Sequence, residues 1–132
     1  MDARLEYCGN SIEIKDFRHY VEDEANGNPY NCAFNIKVSS GFFSGFADGC
    51  ECDYKQIKEF VTQLENLVLF KISDVSFVEI GYGNRIDFKA DKTGHIIVSG
   101  TIRSGDCSQR LEFEFFTDQT VFPPFIESLK AF

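Results

Sequence analysis

Five cysteines and two histidines carry the most versatile chemistry in this chain. Cys50 and Cys52 are two apart, which puts both thiols on one side of an extended segment. A structural zinc site wants four such ligands, in pairs normally separated by at least two residues. The chain has no second pair, and His19 and His95 lie far away in sequence, so the expectation is no metal. A thiol nucleophile needs a base beside it. No nucleophile elbow or protease signature surrounds Cys8, Cys32, Cys50, Cys52 or Cys107. His95 follows a turn glycine and opens a strand, where it reads as a structural hydrogen-bonding residue. Gly81-x-Gly83 lacks the third glycine and the helix of a dinucleotide fingerprint, and no Walker sequence is present. The residues therefore point to no catalytic side chain, no cofactor and no enzyme activity.

Carboxylates are the remaining chemical feature. Glu22, Asp23 and Glu24 stand in one polar stretch, Glu22 to Pro29, read as a surface loop. Asp48, Glu51 and Asp53 stand in another. Asp53 reads as a helix cap, with Gln56 three residues on completing a capping box. The other five acids suit either a solvated edge or a patch that steers a basic partner, an attraction that weakens with salt. With 21 acidic against 13 basic residues, the net charge is −8 and the pI about 4.7. That balance disfavours nucleic acid and anionic membranes as partners.

The elements that would position these residues follow from periodicity. Leu5 and Tyr7, then Ile12 and Ile14, alternate with polar residues about Gly9-Asn10, which predicts a hairpin over Ala3–Phe17. Cys32, Phe34, Ile36 and Val38 mark a strand, and Phe42 to Ala47 returns it. Gly45 in that return suggests a bulge or a close backbone approach. Tyr54, Ile57, Phe60, Val61 and Leu64 form one apolar stripe, predicting a helix over 53–66. Leu67–Ile72, Val75–Tyr82, Arg85–Ala90 and His95–Ile102 read as strands, the first two either separate or one bent element. In the last strand Leu111, Phe113 and Phe115 alternate with Arg110, Glu112 and Glu114. Phe125, Ile126 and Leu129 recur at helical spacing, predicting a helix over 122–131. Pro123-Pro124 fit its first turn, while Pro123 biases Phe122 away from helical angles. The result is an α+β fold: a largely antiparallel sheet of about eight strands with a central and a C-terminal helix packed on it.

At 132 residues this is one domain, 1–132, and its 15 phenylalanines with no tryptophan should dominate the core. Met1 to Glu6 shows no leader pattern, and no run approaches the roughly 20 apolar residues of a membrane helix. With an odd number of cysteines, that implies reduced thiols and a cytoplasmic location.

Three pieces of the C-terminal third carry a resemblance: Gly94-His95-Ile96 opening a strand, Leu111-Glu112-Phe113-Glu114-Phe115 as a strand, and Thr117-Asp118-Gln119-Thr120 before the last helix. With the helix from Asp53 to Asn66 and Leu67-Val68-Leu69 after it, the layout resembles small immunity proteins of the WapI type. These are cytosolic antidotes encoded beside contact-dependent bacterial toxins. The resemblance implies a non-catalytic protein that occludes a cognate toxin domain, and it brings no family site residues; the acidic balance of this chain suggests that the toxin is basic. Glu22, Asp23, Glu24, Asp48 and Glu51 are the interface candidates, with Tyr20, Tyr30 and Tyr82 as possible anchors. The alternative expectation is a small apolar ligand held in a cavity between sheet and helices. Strand order and oligomeric state are not encoded in these patterns.

Overall fold

A computed structural model describes residues 1–132. Eight antiparallel strands form two four-stranded sheets. The first holds β1 (Ala3–Tyr7), β2 (Asn10–His19), β3 (Cys32–Ser40) and β4 (Phe43–Cys52) in that order. The second holds β5 (Asp74–Val78), β6 (Arg85–Ala90), β7 (His95–Arg103) and β8 (Arg110–Asp118), again in chain order. Three helices accompany them: α1 (Val21–Ala25), α2 (Tyr54–Val68) and α3 (Phe122–Lys130). The eight strands and the α+β class agree with the sequence reading; their division into two sheets is new.

Each strand alternates as its pleat requires. In β3, Cys32, Phe34, Ile36 and Val38 are buried and the residues between them are not. The inward faces of the sheets and helices α2 and α3 enclose one cluster of 30 buried apolar residues. Nine of the 15 phenylalanines lie in it. Phe60 on α2 meets Phe77, Phe88 and Phe125, and Phe34 of the first sheet meets Phe77 of the second. Burying such a side chain stabilises by about 1.5–3 kcal/mol. These rings fill the space between sheets and helices that the ligand-cavity alternative required to be hollow.

Two bulges shape the first sheet. Three residues of β2, Asp16 to Arg18, oppose two of β3, and two residues of β4, Asp48 and Gly49, oppose Asn35 alone. Asn35 joins them: its Oδ1 accepts from the Gly49 N–H at 3.2 Å and its Nδ2 donates to Asp16 at 3.1 Å. The bulge lets β4 continue to Cys52, where the sequence suggested a loop from Asp48. Gly45 is not the bulge; it marks a close approach. A Cβ there would lie 2.9 Å from Leu111 Cδ2 and 3.0 Å from Ile102 Cδ1, on the facing sheet.

Other boundaries also moved. The β1–β2 turn centres on Cys8-Gly9, both at positive φ, rather than on Gly9-Asn10. Glu22 to Ala25 is helical, not a loop. Asp53 caps α2 by accepting from the Lys55 N–H at 3.0 Å, as expected, but Gln56 donates its side chain to the Val78 carbonyl instead of closing the box. Helix α2 runs past Asn66 and buries Leu67, so Leu67–Ile72 is not a strand. The β5 strand stops at Val78, and Glu79–Gly83 turn. Phe122 adopts helical angles (φ −79°, ψ −38°) despite the following proline. It is fully buried against Phe88, and a 3-10 turn over Gln119–Val121 feeds it into α3, so packing outweighs the local bias.

Three of the five thiols, Cys32, Cys50 and Cys52, are buried, and Cys8 and Cys107 are exposed. Burial, with the nearby Glu79 charge, pushes the Cys50 thiol up to about 12. The hydrogen bond with the Cys32 thiol, followed by burial, pushes Cys52 up as well. Because the thiolate is the reactive form, a thiol reagent at pH 8 should titrate two groups in the native protein and three more on unfolding. Rapid reaction of a third native thiol would contradict this core.

Candidate partner-binding surface

Sheet pairing decides which of the acidic residues meet. Arg18 of β2, Ala33 of β3 and Glu51 of β4 lie in one cross-strand row. Their chain neighbours Phe17, Cys32, Cys50 and Cys52 point into the core, so this row points outward. Adjacent strands are about 4.8 Å apart, which places Glu51 roughly 10 Å from Arg18. Helix α1 follows directly from the end of β2, so the Glu22–Glu24 cluster borders the same end of the sheet.

The five candidates differ in freedom. Glu22 is exposed, whereas Asp23 and Glu24 are half-buried. Glu24 Oε1 lies 3.2 Å from His19 Nε2, and the His19 ring stacks on Tyr54 with centroids 3.9 Å apart. That contact ties α1 to the head of α2. Asn31 reinforces the joint: its Oδ1 accepts from the Tyr54 N–H at 2.7 Å, and its Nδ2 donates to Asp53 at 3.2 Å. Asp48 is exposed at the β4 bulge and faces Gly105 of the β7–β8 loop, where an added Cβ would come within 2.8 Å of its Oδ1. Glu51 is half-buried, and its backbone is engaged at both ends, N–H to Glu79 and carbonyl from Ile80.

Tyr20, Tyr30 and Tyr82 are all exposed. Tyr82 lies beside Gly49, with its Cε2 3.8 Å from where a Cβ would sit. Asp48, Glu51 and Tyr82 thus share one patch, while Tyr20 and Tyr30 flank α1.

Beneath that patch is a buried carboxylate the sequence reading passed over. Glu79 is 1% exposed. Its two oxygens accept from the backbone N–H of Glu51 (3.0 Å), Gly81 (2.7 Å), Tyr82 (2.7 Å) and Asn84 (3.0 Å), and from Asn84 Nδ2 (3.0 Å). Asn84 Oδ1 in turn accepts from the Arg103 N–H at 2.7 Å. The network fixes the Glu79–Asn84 turn to β4 and β7, and so sets where Tyr82 stands.

Sequence reasoning also missed the exposed phenylalanines Phe42, Phe43, Phe46, Phe70 and Phe116. Phe42 is wholly exposed (105%) at the tip of the β3–β4 hairpin, and Phe116 is 59% exposed. The doublet Phe115-Phe116 carried the signal, because adjacent strand residues point to opposite faces.

Asp106 shows how the loop beside Asp48 is held. Its carboxylate accepts from the Ser108 N–H and from both the Ser104 and Ser108 hydroxyls, and these bonds hold it down to about 2. A depressed carboxylate stabilises the fold above its unfolded pKa, near 4, and loses that contribution as pH falls toward the folded value. The Ser108 amide resonance should therefore titrate with a midpoint near 2 and be flat above about pH 4. A midpoint near 4 would contradict the loop geometry.

No helix is long and apolar enough to cross a membrane. The side chains define an α+β protein whose distinctive chemistry lies on its surface, as charged and aromatic patches over a filled core. A model of the immunity protein WapI-like family matches residues 8–132, nearly the whole chain, so this protein belongs to that family. Comparison with curated proteins and with solved structures gave no match.

Proposed function

We propose that this protein neutralises a cognate toxin domain by binding and occluding it, without catalysis, in the cytoplasm of the cell it protects. Family membership over residues 8–132 carries this reading and supports an immunity role in general. The net charge of −8 supports a basic toxin, whose surface the acidic end of the first sheet would meet. Glu22, Asp23, Glu24, Asp48 and Glu51 supply the charge, and Tyr20, Tyr30 and Tyr82 the adjacent aromatic anchors. Charge of this kind speeds encounter, while desolvated aromatic anchors supply most of the lasting affinity. No observation favours a small-ligand function.

The acidic part of this reading is tested on the purified complex with the cognate toxin domain. Reversing Glu22 and Asp23 to lysine, leaving Glu24 on His19, should weaken binding about tenfold or more at low salt, and the loss should shrink as salt screens the charges. Equal affinity at every ionic strength would remove these residues from the interface.

A further inference from the structure

We propose that a second surface, the groove between the turn after α2 and the β6–β7 hairpin, docks an amphipathic segment of a partner protein that carries apolar side chains and carboxylates. The floor of this groove is Phe70, Ile72 and Ile97, and its cationic rim is Lys71, Lys89 and Lys92. All three lysines are exposed. They are three of the eight lysines in a chain of net charge −8.

The cations are free to meet a ligand. No carboxylate of the protein lies within ion-pair distance of Lys71, Lys89 or Lys92. Asp91, which itself lines the groove, and Asp74 beside it are otherwise engaged. Asp91 accepts from Thr93 N–H, Thr93 hydroxyl and His95 N–H within its own loop. Asp74, opposite Lys89 in the β5–β6 register, accepts from the Ser73 hydroxyl.

The apolar floor is held open against local preference. The Lys71 N–H donates to the Asn66 carbonyl and the Phe70 N–H to the Leu67 carbonyl, both at 2.9 Å. That pattern is a Schellman ending, in which Phe70 takes the left-handed position that glycine normally fills. Phe70 sits there at φ +55° and is 44% exposed. A bulky side chain in this conformation is strained, and the helix end does not need it. The floor also extends beyond the groove, because Ile97 pairs directly with the exposed Phe116 on the outer face of the second sheet.

An apolar floor between unpaired lysines complements leucine-like and glutamate-like side chains on one segment. An extended polyanion fits less well, since the rest of the surface repels it. The groove's charge is opposite to that of the acidic patch, so this inference does not depend on the toxin reading.

The test uses the full chain labelled with nitrogen-15 and a synthetic peptide alternating leucine and glutamate. A leucine–lysine peptide, a thymidine oligonucleotide and phosphatidylserine vesicles serve as comparison probes. The leucine–glutamate peptide should shift the amides of Lys71, Ile72, Lys89 and Ile97, and the lysine peptide should not. The triple variant Lys71→Glu, Lys89→Glu, Lys92→Glu should bind the first peptide at least tenfold more weakly, with an otherwise native spectrum. Phe70→Asn, which keeps a residue tolerant of left-handed angles, should also weaken it. Equal shifts from both peptides, shifts only elsewhere, no shift at all, or unchanged binding by the triple variant would overturn the proposal. So would oligonucleotide or vesicle binding at these amides without peptide binding.

Discussion

Glu79→Ala should cost about 3 kcal/mol or more and release the Glu79–Asn84 turn from β4. The substitution removes the acceptor of five N–H donors, four of them backbone groups that cannot turn away. A buried donor left without an acceptor costs about 1–3 kcal/mol, and water entering the turn would recover part of the sum. Glu79→Gln should fall between, because one carboxylate oxygen becomes an NH₂ group facing donors. Urea unfolding measures the loss, and the amide shifts of Glu51 and Tyr82 report whether the turn has left β4. A fall below 1 kcal/mol with those shifts unchanged would mean that the network is not what fixes the turn.

Gly100→Ala should be comparably damaging for a different reason. A Cβ there would lie 2.1 Å from the Arg85 carbonyl oxygen and 3.0 Å from Phe113 Cζ. The first contact is with backbone, in the middle of the second sheet, where Gly100 pairs with Ile86 and Phe113. Relief requires β6 to separate from β7, since no rotamer can move a carbonyl. Overpacking typically costs about 1–3 kcal/mol, and a backbone clash in a central strand belongs at the upper end. Gly9→Ala is a useful contrast: its Cβ meets nothing within 4 Å, though its φ of +82° still penalises alanine. A urea midpoint for Gly100→Ala close to wild type would contradict the β6–β7 spacing.

Much of this architecture was legible because periodicity and packing agree. Tyr54 to Leu64 formed a helical stripe, and Asp53 capped it. The period-two pattern of β3 and β8 marked faces that are indeed buried. Where the sequence misled, a local signal competed with a longer-range cause. Leu67-Val68-Leu69-Phe70 looks like a strand, but Leu67 completes the buried stripe of α2 and Phe70 occupies a turn position that its side chain disfavours. Glu22 to Ala25 carries no apolar stripe, so its helix was invisible. It is tied through Glu24 to His19 and through Tyr20 to Asn31. Glu79 resembled any other strand glutamate, because its five donors come from segments brought together only by the fold. The division into two sheets is likewise set by tertiary pairing, which alternation cannot encode.

The candidate surface was legible in composition and not in geometry. The acidic residues could be named, but only the register Arg18–Ala33–Glu51 places β4 beside the end from which α1 departs. The exposed phenylalanines and the lysine-rimmed groove were hidden by the assumption that aromatic residues fill the core.

The role proposed for this chain is to protect a cell from a toxin by binding it. The most direct measurement is co-expression with the C-terminal domain of a large secreted protein encoded beside it, scored for growth and for co-purification together. Growth should be restored, and the two proteins should purify as one stable complex. An expressed, toxic domain that neither binds the protein nor is silenced by it would contradict this role for that pair.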